Sequence, residues 1–114
     1  MLIGEYVMRL TGLDQFSAPF PRGGQNAMFS IDVLDVPAGG GPIALNVDVE
    51  HKSLEDTTWA VLGSFSAISS TGVKTLSVTG AKEMLRFNYS VSGGGSPEPY
   101  DTFYINTLAP LWRP

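Results

Sequence analysis

The strongest pattern along this chain is a period of two. Over residues 43–50, Ile43, Leu45, Val47 and Val49 alternate with Ala44, Asn46, Asp48 and Glu50. Successive side chains of a strand point to opposite faces, so one set is read as core and the other as facing solvent or a partner. Residues 85–91 repeat the pattern, with Leu85, Phe87, Tyr89 and Val91 inward and Arg86, Asn88 and Ser90 outward. Residues 59–67 predict a further strand in which Trp59, Val61, Phe65 and Ala67 share a face. In residues 27–36, Phe29, Ile31 and Val33 mark one face, while Leu34 and Val36 lie on the other, which predicts a strand covered on both sides. Residues 73–79 are rich in β-branched side chains, Phe103 and Ile105 mark another strand, and residues 2–10 supply one more.

Turn signals separate these segments. Pro37-Ala38-Gly39-Gly40-Gly41-Pro42 ends one strand and opens the next, and Ser70-Thr71-Gly72 and Thr79-Gly80-Ala81-Lys82 read as tight connections. Residues 92–99 read as a longer Gly/Ser/Pro loop. The one helical candidate is a single turn at residues 81–85. Seven or eight short strands with regular turns predict an all-β chain, an antiparallel β-sandwich of jelly-roll or immunoglobulin-like type. With 114 residues the chain fits one domain spanning 1–114. Two segments depart from the pattern. Residues 11–26 combine Phe16 and Phe20 with prolines and glycines and read as an irregular N-terminal arm. Residues 108–114 read as an apolar C-terminal tail carrying Leu111, Trp112 and Arg113. Such segments either fold back on their own sheets or lie on a neighbouring subunit.

Charge narrows the choice of partners. The net charge is -4, and the seven basic residues are scattered, so nucleic acid is not an expected partner. No apolar run reaches the length of a spanning helix, so no membrane is expected, and residues 1–10, interrupted by Glu5 and Arg9, do not read as a secretory signal. Charged residues make up only 16% of the chain, which leaves much uncharged surface for contact with protein.

The inventory for chemistry is thin. His51 is the single histidine; Ser53, Glu55 and Asp56 lie near it, yet on a turn, without a nucleophile elbow. With one histidine and no cysteine, zinc ligation is not expected, and neither Glu50, Glu55 and Asp56 nor Asp32 and Asp35 match a calcium loop. No catalytic, cofactor-binding or metal-ligating residue is therefore assigned, no cofactor is expected, and the chain is not read as an enzyme. Asn88-Tyr89-Ser90 fits a glycosylation acceptor but falls inside a strand. Trp59, Tyr100, Tyr104 and Trp112 are candidate sugar platforms, although Trp59 shares its face with Val61 and Phe65 and reads as core.

One long stretch carries a resemblance. Val47-Asp48-Val49-Glu50-His51-Lys52-Ser53, then Glu55-Asp56-Thr57-Thr58-Trp59 and Leu62-Gly63-Ser64-Phe65, resemble a strand-turn-strand pattern of small β-sandwich structural proteins of phage and prophage particles. Residues 85–91, Gly95-Ser96-Pro97 and residues 102–106 continue the similarity, which covers about residues 43–107. Asp56-Thr57 stands where a tighter Asp-Gly turn would be expected. The resemblance implies a virion-type sandwich acting through oligomeric contacts, capsid-associated or tail-associated, and brings no catalytic residues with it. The expected role is a capsid-surface subunit, either decoration or head-associated. Its expected partners are further copies of itself, a trimer being one arrangement, and a larger assembly such as a capsid. Its place would be a virion or other extracellular particle surface, or the cytoplasm if it is not phage-derived. Phe16, Phe20, Tyr104, Leu111, Trp112 and Arg113 are the expected interface residues. The alternative role is a carbohydrate-binding or adhesive module.

Overall fold

The computed structural model describes residues 2–9, 15–36, 44–92 and 102–114. Ten strands appear in order: β1 (Leu2–Arg9), β2 (Gln15–Phe16), β3 (Phe20–Pro21), β4 (Asn26–Asp35), β5 (Ala44–Lys52), β6 (Ala60–Ser64), β7 (Gly72–Val78), β8 (Met84–Ser92), β9 (Thr102–Leu108) and β10 (Leu111–Arg113). They form two antiparallel sheets. The first runs β1-β9-β4, with β7 on the far side of β4 and β10 also on β4; the second runs β2-β8-β5-β6, with β3 also on β8.

The three short strands join into longer ones. From Thr107 opposite Ile31 to Leu111 opposite Met28, four steps along β9 and β10 match three along β4. β9 and β10 are thus one strand with an extra residue at Ala109-Pro110, where the missing proline N–H costs no ladder bond. The same count, four steps against three, links Phe16 opposite Asn88 to Phe20 opposite Leu85, so β2 and β3 form one strand along β8. Ser17 fills that break. Its N–H donates to the Phe87 carbonyl at 3.0 Å, and its Oγ accepts the Phe87 N–H at 2.9 Å. A hydroxyl thereby takes a place that backbone would otherwise hold.

Counted this way the sandwich has eight strands, and their pairing is nested. β1 pairs with β9, β2/β3 with β8, β4 with β7, and β5 with β6. First meets last and second meets second-to-last, which is a long antiparallel hairpin wrapped into two sheets. That is the jelly-roll arrangement; an immunoglobulin sandwich divides its strands differently. The hairpin's tip is the β5–β6 turn, where Asp56 Oδ2 accepts both the Ser53 N–H and the Ser53 hydroxyl at 3.0 Å.

The core lies between the sheets. Phe29, Ile31 and Val33 of β4 face Leu45, Val47 and Val49 of β5 and Leu85, Phe87 and Tyr89 of β8, with Phe103 and Ile105 from β9. Each such side chain contributes about 1.5–3 kcal/mol on burial. Phe29 meets Phe87 edge-on at 5.5 Å between centroids. Tyr89 and Thr107, both fully buried, share a hydrogen bond of 2.9 Å that joins the two sheets. At the β6–β7 corner, Gly63 sits so near Val78 that a Cβ there would come within 3.0 Å of Val78 Cγ1. Gly72 and Gly80 hold positive φ at the two ends of β7.

Three expectations from the sequence are corrected, and one choice left open is decided. Residues 81–85 form no helical turn; Met84 already opens β8. In their described parts the segments 11–26 and 108–114 fold back on the chain's own sheets as β2, β3 and β10. Val61 points outward and Trp59 lies ahead of β6, neither of them in the core. Leu34 is exposed, so β4 is not covered on its outer side there. The turn at 37–42, the loop's 93–99 stretch and Tyr100 lie outside the described residues.

Candidate protein interface

Strand alternation decides where each expected interface residue points. In β10, Leu111 and Arg113 face outward while Trp112, between them, faces in. Trp112 packs edge-on against Phe29, with 5.9 Å between centroids. Phe20 also points inward, 5.7 Å from Phe87. Tyr104 lies between buried Phe103 and Ile105 and faces out from the first sheet. Phe16 faces out from the second sheet, on the opposite side of the molecule. The six residues therefore divide: Tyr104, Leu111 and Arg113 share one outer face, Phe16 belongs to the other, and Phe20 and Trp112 serve their own subunit's core.

The outer face of the first sheet carries the larger apolar exposure. Leu111 and Val73 are each 60% exposed, Leu34 51%, Tyr104 44% and Met28 37%. Leu34 is the extra residue of a bulge, since Val33 and Asp35 stand opposite the adjacent residues Ile105 and Tyr104. Leu111 and Met28 are direct cross-strand partners. The face is apolar at its two ends, with Ser30, Asp32, Thr75 and Asn106 between, and charged at its corners. Arg113 stands at the Asn26 end of β4 and Asp35 at the other. Asp35 Oδ1 accepts the Val36 N–H at 2.9 Å, which fixes that carboxylate at the strand end. Beside the Arg113 end lies a cavity of ≈ 210 Å³ lined by Ala27, Met28, Ser77, Val78 and Arg113 among others. Several large apolar side chains exposed on one face make it the candidate contact surface.

The outer face of the second sheet is built differently. The Arg86 guanidinium lies 4.0 Å from the Phe16 ring centroid and 4.5 Å from that of Trp59. Its Nε donates to Glu50 Oε1 at 2.7 Å, and Lys52 Nζ sits 5.5 Å from the Trp59 ring. Glu50 aims the guanidinium, and the two rings flank it. The arrangement ties β2 and the segment before β6 to the middle of the sheet, each exposed cation–π contact contributing about 0.5–1 kcal/mol. Of the two candidate tryptophan platforms, Trp59 has Arg86 against its ring and Trp112 meets Phe29 edge-on.

The residues first weighed for catalysis meet one another and Lys82 around the β5–β6 turn. His51 Nδ1 accepts the Lys82 N–H at 3.2 Å. Partial burial, then the Lys82 charge, lowers the His51 pKa below its ordinary value, while Asp56 acts against them. The hydrogen bonds from Ser53, backbone first, lower the Asp56 pKa below the usual carboxylate value. Asp56 also pairs with Lys82 Nζ at 3.6 Å. Among the described residues no three His, Asp or Glu side chains group as metal ligands would, and no helix is long and apolar enough to cross a membrane.

Comparison with protein-family models, with curated proteins and with solved structures finds no match.

Proposed function

We propose that this chain is a non-enzymatic structural subunit that works by assembling with copies of itself and with a larger protein assembly. A capsid-surface role on a phage-like particle, as decoration or head-associated protein, is the setting we favour. The observation that carries this reading is the outer face of the first sheet, where Met28, Leu34, Val73, Tyr104 and Leu111 are exposed together. The jelly-roll arrangement supports it, being a recurrent capsid architecture, although lectins and cupins use the same fold. The similarity of residues 43–107 to phage structural sandwiches supplies the setting.

The test is the native mass. Light scattering behind size-exclusion chromatography is expected to give a multiple of the 12.2 kDa subunit. A monomer persisting to about 100 μM, a concentration at which even weak specific contacts are populated, would sink the reading. Glycan-array binding lost with Tyr104→Ala would move the assignment to a carbohydrate-binding module.

A further inference from the structure

Resting on the assembly reading, we infer that two copies of this chain pair face to face through the outer side of the first sheet, about a two-fold axis that lies in the plane of the interface and crosses β4 at right angles near its middle. The argument comes from the order of side chains along that face. Reading along β4 from its start, the outward positions are Met28, Ser30, Asp32 and Leu34. Arg113 and Leu111 flank the first end, and Tyr104 and Asp35 the second. A two-fold axis between Ser30 and Asp32 reverses this order in the second copy. Met28 and Leu111 then meet the partner's Leu34 and Tyr104, so the apolar ends cover each other. Ser30 meets the partner's Asp32, a hydroxyl against a carboxylate. Arg113 meets the partner's Asp35, a cation against an anion. Each contact occurs twice, as an isologous interface requires.

The alternatives fit less well. A two-fold axis along β4 instead brings both copies' Arg113 to one end of the face and both copies' Asp35 to the other, like charges together at both ends. The extent of the face is sufficient. Ten residues of β4 span about 33 Å, and four strands about 19 Å, which gives on the order of 600 Å² in plan. Standard interfaces bury about 800 Å² of accessible surface per partner, so the pairing has the scale of a specific, reversible dimer. Face-to-face sheets pack with their strands within about 30° of alignment, which keeps both charged corners in register.

The test is sedimentation equilibrium on the full chain, with circular dichroism melts to show that every variant is folded. Wild type is expected to fit a monomer–dimer equilibrium. Arg113→Glu and Asp35→Lys, each placing like charges at both corners, are expected to weaken it by about tenfold or more. The double variant exchanges the charges and is expected to return within about threefold of wild type. Leu111→Asp, at an exposed position, is a second probe expected to dissociate the dimer without unfolding the subunit. An oligomer indifferent to Arg113→Glu and Leu111→Asp would overturn this pairing while leaving the assembly reading intact. So would single variants that dissociate without rescue by the exchange. A wild-type chain that stays monomeric throughout would overturn both.

Discussion

Leu111 and Trp112 are neighbours with opposite duties, and exchanging each separates subunit stability from assembly. Trp112→Ala removes a half-buried ring that packs on the core beside Phe29. Full burial would make a Trp→Ala loss about 3–5 kcal/mol. Half of that, plus about 0.5–1.5 kcal/mol for the edge-on pair, gives roughly 2–4 kcal/mol. Against a domain stability of about 5–15 kcal/mol this is a large fraction. With a urea slope of about 2 kcal/mol/M, the unfolding midpoint falls by about 1–2 M. Leu111→Asp alters a side chain that already meets solvent, and its expected effect stays within about 0.5 kcal/mol.

The assay is urea unfolding followed by far-ultraviolet circular dichroism, which does not depend on the tryptophan lost. It is run at a protein concentration where wild type is monomeric, since association would otherwise add to apparent stability. Expected is a shifted midpoint for Trp112→Ala and an unshifted one for Leu111→Asp. A midpoint for Trp112→Ala within about 0.3 M of wild type, which at that slope is well under 1 kcal/mol, would refute the reasoning. The ring would then have no role in its own subunit, and the tail would belong to an interface after all.

Three further outcomes follow from the same packing. Tyr89→Phe and Thr107→Val each leave the other hydroxyl without its partner across the core, and each is expected to cost about 1–2 kcal/mol in urea unfolding. The double variant should cost about 1 kcal/mol less than the two together, and strict additivity would show that the bond between the sheets does not couple them. Gly24→Ala would drive its Cβ into the Arg113 backbone carbonyl, which cannot yield as a side chain would. Loss of amide-exchange protection across β10 is expected, and full protection would contradict the close approach. Finally, the lowered pKa of His51 means that the unfolded chain binds its proton more readily than the folded one. Stability is therefore expected to fall as pH drops through the ordinary value of 6.5 and to level off below the folded value. His51→Gln should remove that step in melts between about pH 7.5 and 5, whereas the Asp56 contribution is lost only as pH falls below the ordinary carboxylate value of 3.8. An identical pH dependence in both proteins would exclude His51 as its source.

Most of the sandwich was legible because burial on one face writes itself as alternation. The inward sets Leu45/Val47/Val49 and Leu85/Phe87/Tyr89 are buried as the period of two requires. The misreading of Val61 within residues 59–67 has one cause. Val49 stands opposite Gly63, and Glu50 opposite Val61, so β6 gains a residue at Leu62 and its parity inverts. Val61 is thereby turned out, and half-buried Leu62 packs against the core. Such a bulge depends on the partner strand and leaves no local mark. The arm and tail hid for a related reason. Pro21 and Pro110 read as breakers, yet Pro21 sits in an edge strand and Pro110 at an offset, both places a sheet tolerates proline. Leu111-Trp112-Arg113 did alternate, but three residues are too few to separate a strand from chance.

The candidate face was harder to read than the core because its parts are not neighbours in sequence. Met28 and Leu34 come from β4, Val73 from β7, Tyr104 from β9 and Leu111 from β10. Each is a lone outward apolar residue, the kind that ordinary surfaces carry without consequence. What gathers them is the nested pairing, which sets the end of the chain along β4 on one side and β7 on the other. The same pairing sends Trp112 inward once Leu111 faces out, because adjacent residues of a strand take opposite sides. An apolar tail can thus complete a subunit and offer a contact at the same time. The first task falls to Trp112, and under the proposed pairing the second falls to Leu111 and Arg113. Assembly of such a chain need not wait for its tail to find a neighbour, since the residues that would make the contact are positioned by the fold itself.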